Sequence, residues 1–210
     1  MKLSLSFLLI IAISERCFSQ SVHLSDQLNK NQITVVNREI SVYEAEGIEL
    51  NAREGDGLAI LSQIEFKSGT IDLEIRGENN PGKSFVGFAF NVQNDSTFEA
   101  VYFRPFNFVV QEPIRKSHMA QYIFHPVYTW YKLREERTGE YEGEMQAPPD
   151  PDDWFKVKIR IKDHKVNVFV NGEAFMEVDR LTYSTSSKVG LWVGNGSSGR
   201  FKNLVILDSE

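Results

Sequence analysis

A chain of 210 residues, 41% of them apolar, is long enough to enclose one sizeable core, and all-β chains of this length commonly fold as single units. The formal net charge of -6 speaks against nucleic acid or anionic membrane as partners. A lone cysteine, Cys17, excludes an internal disulfide, so the core must carry the stability.

Lys2, an apolar run over residues 3–13 and small residues at Cys17 and Ser19 have the layout of a secretory signal peptide over 1–20, cut after Ser19 or Gln20. Glu15 and Arg16 stand where a lipidation motif at Cys17 would need small or apolar residues. The run is too short for a bilayer, so no transmembrane span is expected. The mature chain, 21–210, is expected as one secreted or periplasmic domain. Strands are expected near 39–44 and 57–66. Ile71, Leu73 and Ile75 then alternate with Asp72, Glu74 and Arg76, the period of a half-buried antiparallel strand. After the turn signal Asn79-Asn80-Pro81-Gly82, strands near 84–93 and 97–106 flank Asn94-Asp95-Ser96. In the first, Val86, Phe88, Phe90 and Val92 form an apolar face opposite the small residues Gly87, Ala89 and Asn91. In the second, one face carries Tyr102 and Arg104.

Residues 104–142 hold two His, one Trp and four Tyr. Loops beyond about 12–15 residues are uncommon unless functional or disordered, and disorder avoids aromatics. We therefore read 104–153, closed by the Pro-rich stretch 146–153, as an ordered insertion that builds a site over the small-residue floor. Beyond it Phe155, Val157, Ile159 and Ile161, then Val166, Val168 and Val170, resume the alternation. Asn171-Gly172 and Gly194-Asn195-Gly196 turn the chain around strands near 189–194 and 200–207. No apolar period of 3.6 persists for three turns, so helices should be short. The pattern is that of an all-β, two-sheet antiparallel β-sandwich of jelly-roll type.

The phrases GLAILSQIEFKSGTIDLEIRG, FVGFAFNVQNDSTFEAVYFRPFN, WFKVKIRIKDHKVNVFVNGE and VGLWVGNGSSGRFKNLVI resemble the laminin G-like branch of the concanavalin A-like lectin/glucanase superfamily. Within it the chain is similar to the exported 3-keto-disaccharide hydrolase-like proteins, over residues 39–207, although it lacks their usual FDG-type opening. Arg104, Asn107, His118, Gln121-Tyr122, Pro126, Trp130, Leu133-Arg134 and Tyr141-Glu142 resemble the pattern RPxN, HxxQY, PxxxWxxLR, YE of an uncharacterised subgroup. The resemblance specifies fold better than function, since the superfamily holds lectins, glycosidases, lyases and adhesion modules. Calcium is frequent in it, which makes Asn94-Asp95-Ser96 and residues 150–153 the candidates for a structural calcium. Both are also ordinary turn sequences, and no cofactor is required by the reading.

Three functions compete. Glycan recognition is favoured: Trp130 offers a flat face for sugar C–H surfaces, and Arg104, Asn107, Gln121, Arg134 and Glu142 offer planar groups for hydroxyls. Second is sugar processing, as a 3-keto-glycoside hydrolase-like enzyme or polysaccharide lyase. Here His118 would be general base and Tyr122 proton donor, with His125 or Tyr131 as substitutes and Arg104 or Arg134 stabilising the enolate-like charge. A carboxylate-pair glycosidase fits poorly, because Thr70 stands where the family 16 pattern has its first Glu. Asp72 and Glu74 are better read as a charge ladder with Lys158 and Arg160. Third is a structural adhesion module. The partner expected is an oligo- or polysaccharide. Trp154 and Trp192 read as core or rim, and each histidine could equally be held by backbone groups beneath the insertion.

Overall fold

The computed structural model describes residues 17–209. Most of the expected leader, 1–16, lies outside them; its last residues belong to the first strand. In chain order the elements are β1 (Cys17–Val22), α1 (Leu24–Asn29), β2 (Ile33–Val36), β3 (Ile40–Tyr43), β4 (Gly47–Leu50), β5 (Gly57–Glu65), β6 (Gly69–Arg76), β7 (Val86–Phe90) and β8 (Phe98–Phe103). After a 3-10 turn at Pro105–Asn107 come α2 (Pro113–Lys116), β9 (Ala120–His125), α3 (Trp130–Glu136), β10 (Glu142–Gly143), β11 (Phe155–Lys162), β12 (Lys165–Val170), β13 (Glu173–Asp179), β14 (Lys188–Val193) and β15 (Gly199–Ser209).

Two antiparallel sheets form the sandwich. One runs β13-β12-β11-β6-β15-β4-β3, with β1 paired beside β4 along β15; the other runs β10-β9-β8-β7-β14-β5-β2. The alternation read from the sequence decides which sides meet. Ile71, Leu73 and Ile75 of β6 and Phe155, Val157, Ile159 and Ile161 of β11 are buried between the sheets, while their polar neighbours face out. There Lys158 pairs with Asp72 at 3.5 Å, as the charge ladder requires. Arg160 lies opposite Thr70 and over Phe169, and Glu74 accepts from Asn203, so the rest of the ladder does not form. Phe103 from the second sheet meets Phe155 edge-on, with centroids 5.2 Å apart.

β7 and β8 are buried on both faces. Their outer face is covered by the 104–142 segment, which is ordered as expected but does not simply lie over a finished sheet. It completes the sheet: β9 pairs with β8 along its whole length and β10 pairs with β9. The sequence conceals β9 because AQYIFH has no apolar alternation. Its inward side chains include a tyrosine held by a buried carboxylate, and its outward ones include a glutamine held by an arginine. Helices are short throughout the described residues, as expected.

Candidate functional site

Strand register lines up one row of side chains across the outer face of the second sheet: Trp192, Gly87, Tyr102, Gln121 and Glu142, one from each of β14, β7, β8, β9 and β10. Gly87 is what lets the row close. A Cβ there would stand 2.2 Å from the Val101 carbonyl oxygen and 2.6 Å from Tyr102 Cα, so only hydrogen fits. Tyr102 and Trp192 then meet with ring centroids 4.9 Å apart. The next row is Gly190, Ala89, Ala100 and Ile123, small enough to leave depth above it. The result is a cavity of about 690 Å³. Tyr102 and Trp192 are its floor; Phe106, Arg104, Arg115, His118, Trp130 and Arg134 line it, as do Asp56, His125 and Asn195, and Phe85 lies between Arg104 and the turn at Gly194.

The arginine-rich wall rests on Arg104, 4% exposed. Its Nη2 donates to the Tyr102 hydroxyl and to Gln121 Oε1, both at 2.5 Å, and its Nη1 donates to the His118 carbonyl at 3.0 Å. Gln121 in turn donates to the Trp130 carbonyl at 3.3 Å, fixing the start of α3. That helix begins at Thr129, whose hydroxyl caps it, and places Trp130 and Arg134 one turn apart with the guanidinium 5.2 Å over the indole. Arg134 Nε donates to Glu142 at 2.9 Å, and His118 Nε2 lies 3.0 Å from the other oxygen of the same, nearly buried carboxylate.

Burial, reinforced by the Arg134 charge, holds the His118 imidazole below its ordinary range in spite of Glu142. His118 is therefore neutral near pH 7, with Nε2–H on Glu142 and Nδ1 left as its basic atom. Burial likewise lowers Arg104, with Arg134 adding to the effect, and raises Tyr102. Opposite, Arg38 donates to the carbonyls of Asn37, Gly55 and Gly194 and so ties together the loops that carry Asp56 and Asn195. Asp56 reaches solvent, yet lost hydration in the cavity mouth raises its carboxyl, with His125 and Arg38 opposing. His125 is fixed by its Nδ1, 2.7 Å from the Ser96 carbonyl.

Seven of the eight residues expected at the site converge. Arg104, Asn107, His118, Trp130 and Arg134 line the cavity. Gln121 and Glu142 lie beneath and hold them. Asn107 bridges the His118 carbonyl (3.0 Å) and Arg115 Nε (3.2 Å), so much of its polar capacity goes to bracing the wall. Tyr122 is not brought there. Strand alternation turns it into the core, where its hydroxyl donates to Glu99 and accepts from the Leu181 N–H at 3.1 Å. Burial and the Glu99 charge push its hydroxyl far above the ordinary tyrosine range, which unfits it as a proton donor. Asn91, expected on the small outer face, adopts a positive φ of 50° and bonds Glu99.

Phe85, Arg115, Asp56, Asn195 and Trp192 join the site without having been expected in it. Of these only Trp192 carries a signal in the sequence, an alternating run next to a Gly-Asn-Gly turn, and that signal reads equally as core or rim. At the calcium candidates, side-chain oxygens already accept hydrogen bonds within the protein: those of Asn94, Asp150, Asp152 and Asp153 accept from backbone N–H groups. No group of three or more His, Cys, Asp or Glu suited to a metal occurs among the described residues.

The family model of the 3-keto-alpha-glucoside-1,2-lyase-like domain matches residues 24–207. No curated protein matches the sequence. Among solved structures, the carbohydrate-binding module CBM66 of Bacillus subtilis is similar at 14% identity and TM-score 0.60, covering 82% of this chain and 93% of that one. The β-glucanase of Bacillus licheniformis is similar at 12% identity and TM-score 0.53, covering 81% and 82%. The lumenal domain of VIP36, solved with Ca2+ and Man3GlcNAc, is similar at 10% identity and TM-score 0.55, covering 83% and 86%. At such identities the likeness is one of fold, a jelly-roll sandwich.

Proposed function

Since the chain belongs to the 3-keto-alpha-glucoside-1,2-lyase-like family, we propose that the cavity on its second sheet receives a carbohydrate and that recognition is its primary task. The observation that carries this is the lining: the rings of Tyr102, Trp192, Phe85 and Trp130 surround a 690 Å³ space into which Arg104, Arg115, Arg134 and Asn195 also face. Aromatic faces take sugar C–H surfaces, and planar polar groups take adjacent hydroxyls. The jelly-roll likeness to a carbohydrate-binding module and a glycan-bound lectin domain supports the reading. Trp130 is 48% exposed in the free protein, so a ligand can cover it.

A glycan array, followed by calorimetry on the hits, tests the proposal. Trp130→Ala should lower affinity about tenfold or more with little change in stability. Unchanged affinity, or no glycan bound at all, would refute it. The protein is further proposed to act outside the cytoplasm, in keeping with the leader-like layout of 1–20. N-terminal sequencing of the mature chain should then begin at Gln20 or Ser21.

A second reading, sugar processing, is favoured by one arrangement. A carboxylate, Glu142, fixes the tautomer of a neutral His118 at the cavity wall. His118 would take a proton beside a carbonyl, and Arg104 and Arg134 would stabilise the negative charge that develops. The proton taken up by His118 Nδ1 would be passed from that same nitrogen to the leaving oxygen, because the Tyr122 hydroxyl is buried on Glu99. Product analysis on 3-keto-glycosides decides: His118→Ala should cost about 10²–10⁴-fold in turnover and leave affinity nearly intact.

A further inference from the structure

The charges of the cavity wall do not balance. Arg104 is nine-tenths buried or more, and its three hydrogen-bond acceptors are all neutral: a phenol, an amide and a backbone carbonyl. It forms no salt bridge among the described residues. The carboxylate of the row, Glu142, is already engaged at both oxygens by Arg134 and His118. Arg115 adds a third guanidinium; its acidic neighbour Glu112 is exposed and stands 3.8 Å away. Arg104 and Arg134 thus have one buried anion between them, and Arg115 is paired only with an exposed carboxylate. A buried guanidinium without a counter-ion is costly, and proteins ordinarily pair such a group or leave the partner to a ligand.

The unused donors point the same way. A guanidinium has five N–H groups. Arg104 commits three of them, and Arg134 commits its Nε. The Trp192 indole N–H, buried at the cavity floor, also has no acceptor among the described residues. Asp56, by contrast, lies on a different segment, braced by Arg38 and Asn195 rather than by the arginine wall. A neutral sugar would meet these donors with hydroxyls and leave the cationic excess standing. A ligand carboxylate would accept in the fork geometry guanidinium groups offer, while its hydroxyls faced the Asp56 and Asn195 side.

Resting on the carbohydrate reading above, we infer that the ligand is acidic: a uronate-containing oligosaccharide whose carboxylate seats against Arg104, Arg115 and Arg134. The site is then polarised, with its anion-binding end under α2 and α3, and a saccharide can enter in one orientation only. A sulfate ester would offer the same charge in a tetrahedral shape, and it separates charge from shape in the test.

The experiment titrates the full chain calorimetrically with oligomers of galacturonate, glucuronate, mannuronate and guluronate. The matching methyl esters, neutral oligosaccharides and a sulfated neutral oligosaccharide complete the set. Expected is binding of at least one oligouronate, weakened about tenfold or more by esterification and weakened by added salt. Because Arg104 is a core residue whose replacement can unfold the protein, the variant of choice is Arg115→Gln, on the partly exposed α2. Its affinity for the acid should fall by a larger factor than its affinity for the ester. If esters or neutral oligosaccharides bind as tightly as the acids, this inference fails while the carbohydrate reading stands. If the sulfated oligosaccharide binds best, the carboxylate assignment fails. If nothing in the set binds, both fail together.

Discussion

Glu142→Gln keeps the shape of the side chain and removes its charge, and the surrounding donors leave the new amide a single orientation. Arg134 Nε–H can only donate, so the amide oxygen must face it, which leaves the amide NH2 directed at His118 Nε2. That nitrogen can then bond only as an acceptor, so the proton moves to Nδ1 and the imidazole is locked in the other tautomer. Removing one partner from a buried ion pair costs about 3–5 kcal/mol. Here Arg134 is 27% exposed and the amide still accepts from it, so water offsets part of the loss. A cost of about 1–3 kcal/mol is expected, in the range for a charged hydrogen bond replaced by a neutral one. For a domain of this size that lowers Tm by roughly 2–12 °C. Long-range nitrogen–proton NMR of the imidazole gives the tautomer, and calorimetry gives Tm. If the protein turns over a sugar, turnover should collapse, because the basic Nδ1 is now capped by hydrogen. Detection of the Nδ1–H tautomer or the imidazolium in the parent at neutral pH would refute the reasoning.

Gly87→Ala should be badly tolerated, since a Cβ would overlap the backbone of β8; a loss of about 1–3 kcal/mol or more is expected, together with loss of ligand binding as Tyr102 is displaced, measured by denaturation and titration. Tyr122→Phe should cost about 1–3 kcal/mol by stripping Glu99 of a donor and the Leu181 N–H of its acceptor, with glycan binding unchanged; a loss of function at intact stability would put Tyr122 back in the site. His118 has a folded-state value below its ordinary 6.5, so the unfolded chain takes up the proton first. Stability should therefore fall as pH drops through about 6.5 towards the folded value, and His118→Gln should flatten that part of the curve; a parent with no slope there would contradict the burial argument.

The sandwich is legible because half-buried antiparallel strands announce themselves by alternation, as in β6, β11 and β12. Strands covered on both sides do not. Ala120–His125 is buried almost throughout, yet its buried side chains include Gln121 and Tyr122, whose polar atoms are satisfied by partners far along the chain: Arg104 on one face, Glu99 and Leu181 on the other. No local pattern encodes such partners, so a true strand reads as loop. The same effect sorts the candidate site. Arg104, His118, Trp130, Arg134 and Glu142 stand out because polar and aromatic residues are dense in 104–142. Composition places Tyr122 among them, and only the two-residue period of β9, hidden from composition, turns it away. Asp56 and Asn195 come from turns about 140 positions apart, joined by the Asn195 side chain accepting from the Gly55 N–H at 2.7 Å.

Recognition and catalysis draw on the same wall, and the bonding within it indicates how they differ. Arg104, Gln121 and Asn107 are largely committed to holding Tyr102, Trp130 and the His118 backbone, a preorganised surface that serves binding whether or not anything reacts. His118 is different. A histidine needed only for packing could satisfy its N–H with any neutral acceptor; here the acceptor is a buried carboxylate, Glu142, placed by the two-residue strand β10 so that its side chain reaches both His118 and Arg134. An arrangement that holds a neutral imidazole with one free nitrogen beside two guanidinium groups can bind the acidic group of a ligand and abstract a neighbouring proton with little rearrangement. Whether the cavity stops at the first of these acts depends on how close the bound sugar's acidic C–H comes to His118 Nδ1, because proton transfer requires contact within about 2.6–3.2 Å or one bridging water.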